Sequence, residues 1–185
     1  KTLSFSEQSD HLWKTNWEVQ LPKTFSNQQL TYQTSADRVS LDSISSCHPN
    51  ALLIDFDNKD FDQSIRNHSK LSELIKEATD LKLPSALIVK PRKLNIESPQ
   101  ILIHDSPAST TLIDFGLHFF NNAYEQLRNE TYPCFSLPEI ANHLEARWWK
   151  EVFAFGQNYL GLTLGTIKAQ VEITTISSVL EMEEI

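Results

Sequence analysis

Charged or polar side chains follow four apolar segments of the sequence, at the points where the segments end. They are Asp55, Asp57, Lys90, Arg92, Glu139, Glu172 and Thr174. If the segments are parallel strands, their carboxyl ends share one edge of a sheet, where ligands bind in parallel α/β folds. Carboxylates beside cations suit an anionic substrate, a divalent metal ion, or both. The alternative is that the Asp residues hold turns and the Lys-Pro-Arg-Lys segment is solvated surface.

Short apolar runs predict the strands that place these side chains. Residues 51–55, 86–89 and 133–137 are typical of buried strands, and residues 167–173 form a fourth. Helical spacing of apolar residues predicts helices between and after them. Their predicted inward positions are Leu71, Leu74, Ile75 and Ala78 in the first helix, Leu112, Phe115, Phe119, Phe120 and Ala123 in the second, and Trp148, Val152, Phe155 and Tyr159 in the third. A further helix is predicted to begin at Ser177.

Strands that alternate with helices indicate an α/β fold of parallel βα units. Such units form either an open doubly wound sheet or a closed barrel, and the pattern alone leaves both open. A closed (β/α)8 barrel takes eight units and roughly 250 residues. The sequence shows about four units in residues 47–185, so a barrel here is a partial one. Residues 1–46 are polar and are predicted to be an irregular lead-in with a short helix around residues 37–46.

The composition excludes several classes of function. The chain has 185 residues and a net charge of −8, which disfavours a nucleic-acid backbone as partner. Its four glycines cannot supply a dinucleotide-binding fingerprint or a phosphate loop. No apolar run approaches the roughly 20 residues of a membrane-spanning helix. Two cysteines and no leader pattern predict reduced thiols in the cytoplasm. No His or Cys stands at zinc-binding spacing from His143 or His104.

Several segments, in order, resemble malate synthases of the A type. Residues 143–157 (HLEARWWKEVFAFGQ) and 160–169 (LGLTLGTIKA) carry the most specific likeness, to the family's HLEAR and GTIKA segment. Residues 54–58 (IDFDN), 87–92 (LIVKPR), 112–121 (LIDFGLHFFN) and 135–138 (FSLP) resemble the family's ADFEDS, LIVRPRG, SLxDFxLYFFHN and YFYLPK. The resemblance implies a (β/α)8 barrel that condenses acetyl-CoA with glyoxylate, giving malate and CoA. If the protein is eukaryotic, it also implies a glyoxysomal or peroxisomal location.

The resemblance assigns roles to individual residues. Asp55 and Asp57 fall on the acidic pair after the family's first strand, so the resemblance makes both candidate catalytic residues. Lys90 stands at the catalytic Arg that stabilises the enolate, and Arg92 matches the second Arg of the same motif, so both are candidates for catalysis and substrate binding. Thr174 stands at the family's metal-binding Glu, with Glu172 two residues earlier on the same strand face. The resemblance implies Mg²⁺ as cofactor, with a second metal ligand and the catalytic Asp base beyond Ile185.

Several of these positions depart from the family pattern. Lys90 replaces an Arg, Thr174 a Glu, Glu139 a Lys, and Lys93 a Gly. Besides an active malate synthase, the sequence therefore allows a catalytically degenerate homologue that acts as a binding or interaction protein. A citrate-lyase-β-like acyl-CoA lyase is a further alternative. Because a partial barrel has unpaired strand edges and an uncovered sheet face, we expect the chain to self-associate.

Overall fold

A computed structural model describes Lys14 and residues 30–47, 49–57, 61–77 and 86–185. Its strands are β1 Thr31–Ser35, β2 Ala51–Asp55, β3 Ala86–Lys90, β4 Glu97–Ile103, β5 Ser106–Ser109, β6 Cys134–Leu137 and β7 Lys168–Val171. Its helices are α1 Leu41–Cys47, α2 Phe61–Glu77, α3 Thr110–Arg128, α4 His143–Tyr159 and α5 Ile176–Leu180. The two tryptophans of the polar lead-in, Trp13 and Trp17, and Ala78 of the first predicted helix lie outside the described residues.

The main sheet has five strands in the order β1-β2-β3-β6-β7, and every neighbouring pair is parallel. Strand order follows chain order without reversal, so the sheet winds in one direction, as a barrel does, whereas a doubly wound sheet reverses at a switch point. The predicted α/β fold, a partial barrel of parallel βα units, is confirmed. The sheet in the described residues is an arc that does not close.

Two elements differ from the sequence prediction. Strand β1 lies inside the predicted lead-in and pairs with β2, so the sheet has five strands where four were expected. Its polar sequence, TYQTS, has no apolar run because it forms an edge of the sheet and is half exposed. An antiparallel hairpin of β4 and β5 is inserted between β3 and α3, where the sequence indicated no element.

The core lies between the sheet and its helices. Alternate strand residues, among them Leu52, Ile54 and Phe135, pack there with Phe119 of α3 and Trp149 of α4. The opposite face of the sheet carries a second buried cluster, made of Ala51, Leu53, Ala86, Ile88 and Cys134. These five side chains are at most 7% exposed, so the expectation of an uncovered sheet face is wrong where they lie.

The predicted helix faces are partly wrong. Leu71, Leu74 and Ile75 of α2 are buried as predicted, and so are Phe115, Phe119 and Ala123 of α3. Leu112, Phe120, Trp148, Phe155 and Tyr159 are instead exposed, by 37–73%. Aromatic residues occur on both sides of α3 and α4, which left the rotational phase of each helix ambiguous. In α4 the buried face runs through Trp149 and Gly156. Gly156 lets α3 approach, since a Cβ there would lie 3.1 Å from the Phe119 ring.

Candidate active site

The parallel register brings predicted site residues to one height on the inner face of the sheet. Asp55 at the end of β2 is the register partner of Lys90 at the end of β3. Val89 pairs with Phe135, which places Lys90 level with Ser136 one step further on. Ser136 in turn pairs with Gln170 of β7. Register partners in a parallel sheet point to the same face, so the carboxyl ends of these strands form a polar rim.

An ion pair spans this rim from β3 to β7. Lys90 Nζ lies 3.0 Å from Glu172 Oε1, and their side chains are 18% and 31% exposed. Ser136 Oγ, on the strand between them, donates a hydrogen bond to the same carboxylate oxygen at 3.4 Å. Two residues that the sequence assigned to different strand ends therefore meet. Solvent reaches the pair, so an incoming anion or cation has access to either partner.

A second ion pair joins the loops that follow β3 and β6. Lys93 Nζ donates to Glu139 Oε1 at 2.7 Å. Hydrogen bonding to Glu139 and its negative charge raise the pKa of Lys93, and the charges of Asp57 and Glu172 add to the effect. Glu139 has a φ of +51°, a left-handed conformation that is uncommon for residues other than glycine. The rim thus combines two lysines with carboxylates from three strand ends.

The acidic pair after β2 forms a tight turn. Asp55 Oδ1 accepts a hydrogen bond from the Asp57 backbone N–H at 2.8 Å. Asp55 Oδ2 accepts one from Gln33 Nε2 of β1 at 3.4 Å. The turn-holding role of Asp55, considered from sequence, is therefore present in the structure. Its carboxylate nevertheless lies on the inner face, beside Lys90 in the register.

Arg92 leaves the rim. Strand alternation would have placed it on the face of Lys90, but β3 ends at Lys90 and Pro91 follows. Its side chain is 4% exposed and forms a two-pronged ion pair with Asp114 of α3: Nε lies 2.8 Å from Oδ2 and Nη2 lies 2.7 Å from Oδ1. The guanidinium is thereby held in the layer between sheet and helices. Of the two cations assigned to catalysis from sequence, the structure brings only Lys90 to the rim.

The rim does not assemble the ligands of a Mg²⁺ ion from the described residues. Thr174 is exposed and neutral, and the Glu172 carboxylate is engaged by Lys90. A hard cation takes several oxygen ligands, mostly carboxylates, and Glu172 alone is a poor set. Among the described residues, a group of three potential ligands within 4.8 Å of one another occurs elsewhere, at His143, Glu181 and Glu184. We therefore assign no catalytic step to a metal ion.

The His143 group fastens the start of α4. Glu181 Oε2 accepts hydrogen bonds from the His143 backbone N–H at 2.9 Å and lies 2.7 Å from His143 Nδ1. These contacts lower the pKa of Glu181. A carboxylate at a helix N-terminus is stabilised by the exposed N–H groups and the helix dipole. Cys134 of β6 is buried, which raises its pKa to about 12, so its thiol stays protonated at neutral pH and is a poor nucleophile.

Sequence reasoning missed Asp114 and its partners on α2. Asp114 is fully buried, Ser64 Oγ donates to its Oδ1 at 3.0 Å, and His68 Nε2 lies 3.2 Å from the same oxygen. Asp114 lies within the DFGLHFF segment on the buried side of α3, between Thr111 and His118. Asp114 is one of six polar residues among the nine buried residues of α3, and this series of polar residues at helical spacing was the available signal.

The C-terminal part of the chain matches a family model described as "Malate synthase, TIM barrel domain". The match covers residues 86–185, more than half of the chain. The chain belongs to the malate synthase family. The matched region begins at β3 and includes Lys90, Glu139, Glu172 and Thr174. Asp55 and Asp57 precede it.

The individual proteins to which the chain is similar include two malate synthases and a bifunctional glyoxylate cycle protein. The enzyme of Myxococcus xanthus (strain DK1622) is 48% identical over 101 residues, which cover 55% of this chain and 19% of that protein. The glyoxysomal malate synthase of Candida tropicalis is 40% identical over 99 residues, covering 54% of this chain and 18% of that protein. The bifunctional glyoxylate cycle protein of Caenorhabditis elegans is 27% identical over 192 residues, covering 96% of this chain and 20% of that protein.

The chain thus spans about a fifth of the length of the curated relatives that it matches. None of its described helices is long and apolar enough to cross a membrane.

Proposed function

We propose that the complete protein carrying this chain is a malate synthase, which joins the acetyl group of acetyl-CoA to glyoxylate and releases malate and CoA. The observation that supports this most is the position of Lys90: it lies at the carboxyl end of a barrel-type strand, within the family match, beside two carboxylates. The proposal includes the glyoxylate cycle as pathway, and the cytosol or the glyoxysome as compartment.

In this reaction a methyl proton of acetyl-CoA passes to a base and leaves an enolate. The enolate carbon then attacks the aldehyde carbon of glyoxylate, and water hydrolyses the thioester. Lys90 supplies positive charge where negative charge develops on the enolate oxygen and on the new alkoxide. A lysine acts as a point charge, without the two-pronged geometry of an arginine. To reach the substrate, Lys90 must exchange Glu172 for the oxygen of the reacting molecule.

Lys93 is the second cation of the rim, and it suits the carboxylate of glyoxylate. Its pairing with the half-exposed Glu139 is open to solvent, since the two side chains are 38% and 55% exposed. Exposed pairs of this kind contribute little to stability, so a substrate anion can replace Glu139 at small cost. Mg²⁺, as the family resemblance implies, would supply a Lewis acid when bound. The described residues do not form its site.

The test is release of the CoA thiol by the complete gene product, supplied with acetyl-CoA, glyoxylate and Mg²⁺. Lys90→Met, which removes the charge and keeps the length, is expected to lower kcat by about 100- to 1,000-fold, the usual effect of removing one electrostatic stabiliser. Lys150→Met, on the exposed side of α4, is the matched control and should retain full activity. Thiol release no faster than the background without enzyme would sink the proposal.

A second candidate is a catalytically degenerate homologue that binds acyl-CoA or another anion without turnover. It is favoured by Lys90, which is already neutralised by Glu172, and by Thr174, which offers no charge at the family's metal-ligand position. The discriminating variant combines Lys90→Arg with Thr174→Glu in the complete gene product. Activity that appears only in this variant supports degeneracy. Tight binding of Mg²⁺ by the unaltered protein, measured by calorimetry, contradicts it. The family match favours malate synthase over the citrate-lyase-β alternative.

A further inference from the structure

Two loops at the rim have the same arrangement of side chains: the acidic loop, residues 55–57, and the basic loop, residues 90–93. In each loop the outer residues are directed to the rim, and a middle residue points into the layer between sheet and helices. Phe56 is the middle residue between Asp55 and Asp57, and it is fully buried. Arg92 is the middle residue between Lys90 and Lys93, and it is 3% exposed. The contacts that hold Phe56 and Arg92 in place therefore determine the positions of the rim residues on either side of them.

Asp114 holds the basic loop by its main chain as well as by its side chain. The Asp114 carboxylate accepts the two guanidinium hydrogen bonds of Arg92, and Oδ2 also accepts the Arg92 backbone N–H at 3.0 Å. Thr111, one turn earlier on α3, donates its hydroxyl to the Arg92 backbone carbonyl. Both backbone polar groups of Arg92 are thus bound by α3. An ion pair that served stability alone would need only the side-chain contact.

The same carboxylate reaches the acidic loop through His68. An ionised carboxylate only accepts hydrogen bonds, so His68 Nε2, 3.2 Å from Asp114 Oδ1, carries the proton. The imidazole ring stacks on Phe56, with ring centroids 3.9 Å apart and an angle of 11° between the planes. The two loops also contact each other directly, because the Phe56 backbone N–H donates to the Lys90 carbonyl at 3.0 Å.

We infer that Asp114 is a positioning residue that fixes the acidic loop and the basic loop relative to each other, acting through His68 and Phe56 on one side and through Arg92 on the other. It does not touch substrate. The effect on catalysis rests on the proposed function, whereas the placement of the two loops does not. The charge state suits the role: burial raises the pKa of Asp114, but hydrogen bonds from His68 and Arg92 and the charge of Arg92 outweigh it, so the pKa lies below its ordinary value.

The test compares Asp114→Asn with Glu125→Gln in the complete gene product. Both variants remove a carboxylate charge from α3, but among the described residues the Glu125 side chain pairs with Arg128 alone, in a 3.5 Å contact near the C-terminal end of that helix. Lysines are labelled as 13C-dimethyl derivatives, and the signals of Lys90 and Lys93 are assigned with Lys90→Arg and Lys93→Arg. In Asp114→Asn we expect both signals to shift and the pKa of Lys93 to fall toward the ordinary lysine value of about 10.4. Glu125→Gln should leave both unchanged.

A folded Asp114→Asn protein, judged by far-UV circular dichroism, whose Lys90 and Lys93 signals match those of Glu125→Gln, overturns the inference. If Asp114→Asn does not fold, Arg92→Lys replaces it, because a lysine keeps the charge and loses the fork. The same two lysine signals then have to move, and their failure to move again overturns the inference.

Measuring CoA release distinguishes a failure of the proposed malate synthase function from a failure of the positioning role of Asp114. Provided the unaltered protein releases CoA, Asp114→Asn is expected to lower kcat by about tenfold or more, because small misplacements of catalytic groups are costly. KM should change much less, and the rates are normalised to the fraction of folded protein. If the unaltered protein is inactive, the proposed function fails, and the lysine signals still decide the positioning role. An active Asp114→Asn protein with unchanged kcat contradicts positioning for catalysis.

Discussion

Two ion pairs whose cations are only two residues apart in the chain differ in their exposure to solvent. Lys90 and Glu172 pair at the rim with side chains 18% and 31% exposed, whereas Arg92 and Asp114 pair at 4% and 0%. The rim pair is joined through a single nitrogen–oxygen contact beside the Ser136 hydroxyl, whereas the buried pair has two such contacts and a network with Ser64 and His68. Solvent access separates a pair that a ligand can exchange from one that fixes the scaffold. The predictions below test that separation, from the largest expected effect to the smallest.

Breaking the buried pair should be the most destabilising change. Asp114→Asn leaves the Arg92 charge buried without its counter-charge, which typically costs about 3–5 kcal/mol of unfolding free energy. Urea denaturation at pH 7 measures it. Glu125→Gln, on the same helix, should change the unfolding free energy by less than about 1 kcal/mol. Equal losses of unfolding free energy in the two variants would show that the network around Asp114 contributes no more to stability than an exposed ion pair does.

As the pH falls, the protein should lose stability through His118 before it loses stability through Asp114. Burial, with a smaller contribution from the nearby His68, lowers the pKa of His118 to about 3. The unfolded chain therefore binds more protons between about pH 6.5 and pH 3, and stability falls with falling pH in that window, by at most about 1.4 kcal/mol per pH unit. Asp114, whose folded pKa is lowered, adds its own loss only below an unfolded pKa of about 3.9.

The variant His118→Gln isolates the first of these two losses. Urea midpoints measured from pH 7 to pH 4 should fall steeply in the unaltered protein and stay nearly flat in His118→Gln. A matched decline in both proteins would mean that His118 is protonated in the folded state as readily as in the unfolded one.

Breaking the rim pair should have the smallest effect on stability. Glu172→Gln keeps the side-chain shape and removes the charge that faces Lys90, and pairs open to solvent contribute about 0–1 kcal/mol. The unfolding free energy measured in urea should therefore change by less than about 1 kcal/mol. The residual effect should shrink further in about 1 M salt, which screens exposed charges. A loss of unfolding free energy as large as that of Asp114→Asn would show that the rim pair, like the buried pair, stabilises the fold.

The sequence predicted the elements that are strongly apolar and missed those that are not. Strands β2, β3 and β6 lie close to the predicted runs, and α2 has its predicted buried face. Helix α4 ends at Tyr159, and Gly161, just beyond its C-cap, has a φ of +66° that suits a glycine. Strand β1 was missed because edge strands need no apolar run.

At the site, charge and strand ends predicted the convergence of Lys90 and Glu172, but not the direction of Arg92. Strand alternation stops where the strand stops, so the rule that placed Glu172 could not place a residue beyond Pro91. Asp114 was missed because the apolar residues of α3 were used to predict its buried face, whereas most of the buried residues of that helix are polar. A buried charge can be predicted from sequence only when its partner is known. The partner of Asp114 is Arg92, which lies 22 positions earlier in the chain.

The register of the sheet gives the rim a slope. Lys90 is level with Ser136 and Gln170, yet its partner Glu172 stands two residues beyond Gln170, just past the end of β7, a climb of about 6–7 Å. The lysine therefore reaches upward and across the sheet to the carboxylate oxygen that also accepts the Ser136 hydroxyl. Gln170 is the position from which a carboxylate would meet Lys90 on the level, and a Glu at that position would free Glu172 for the mouth of the barrel.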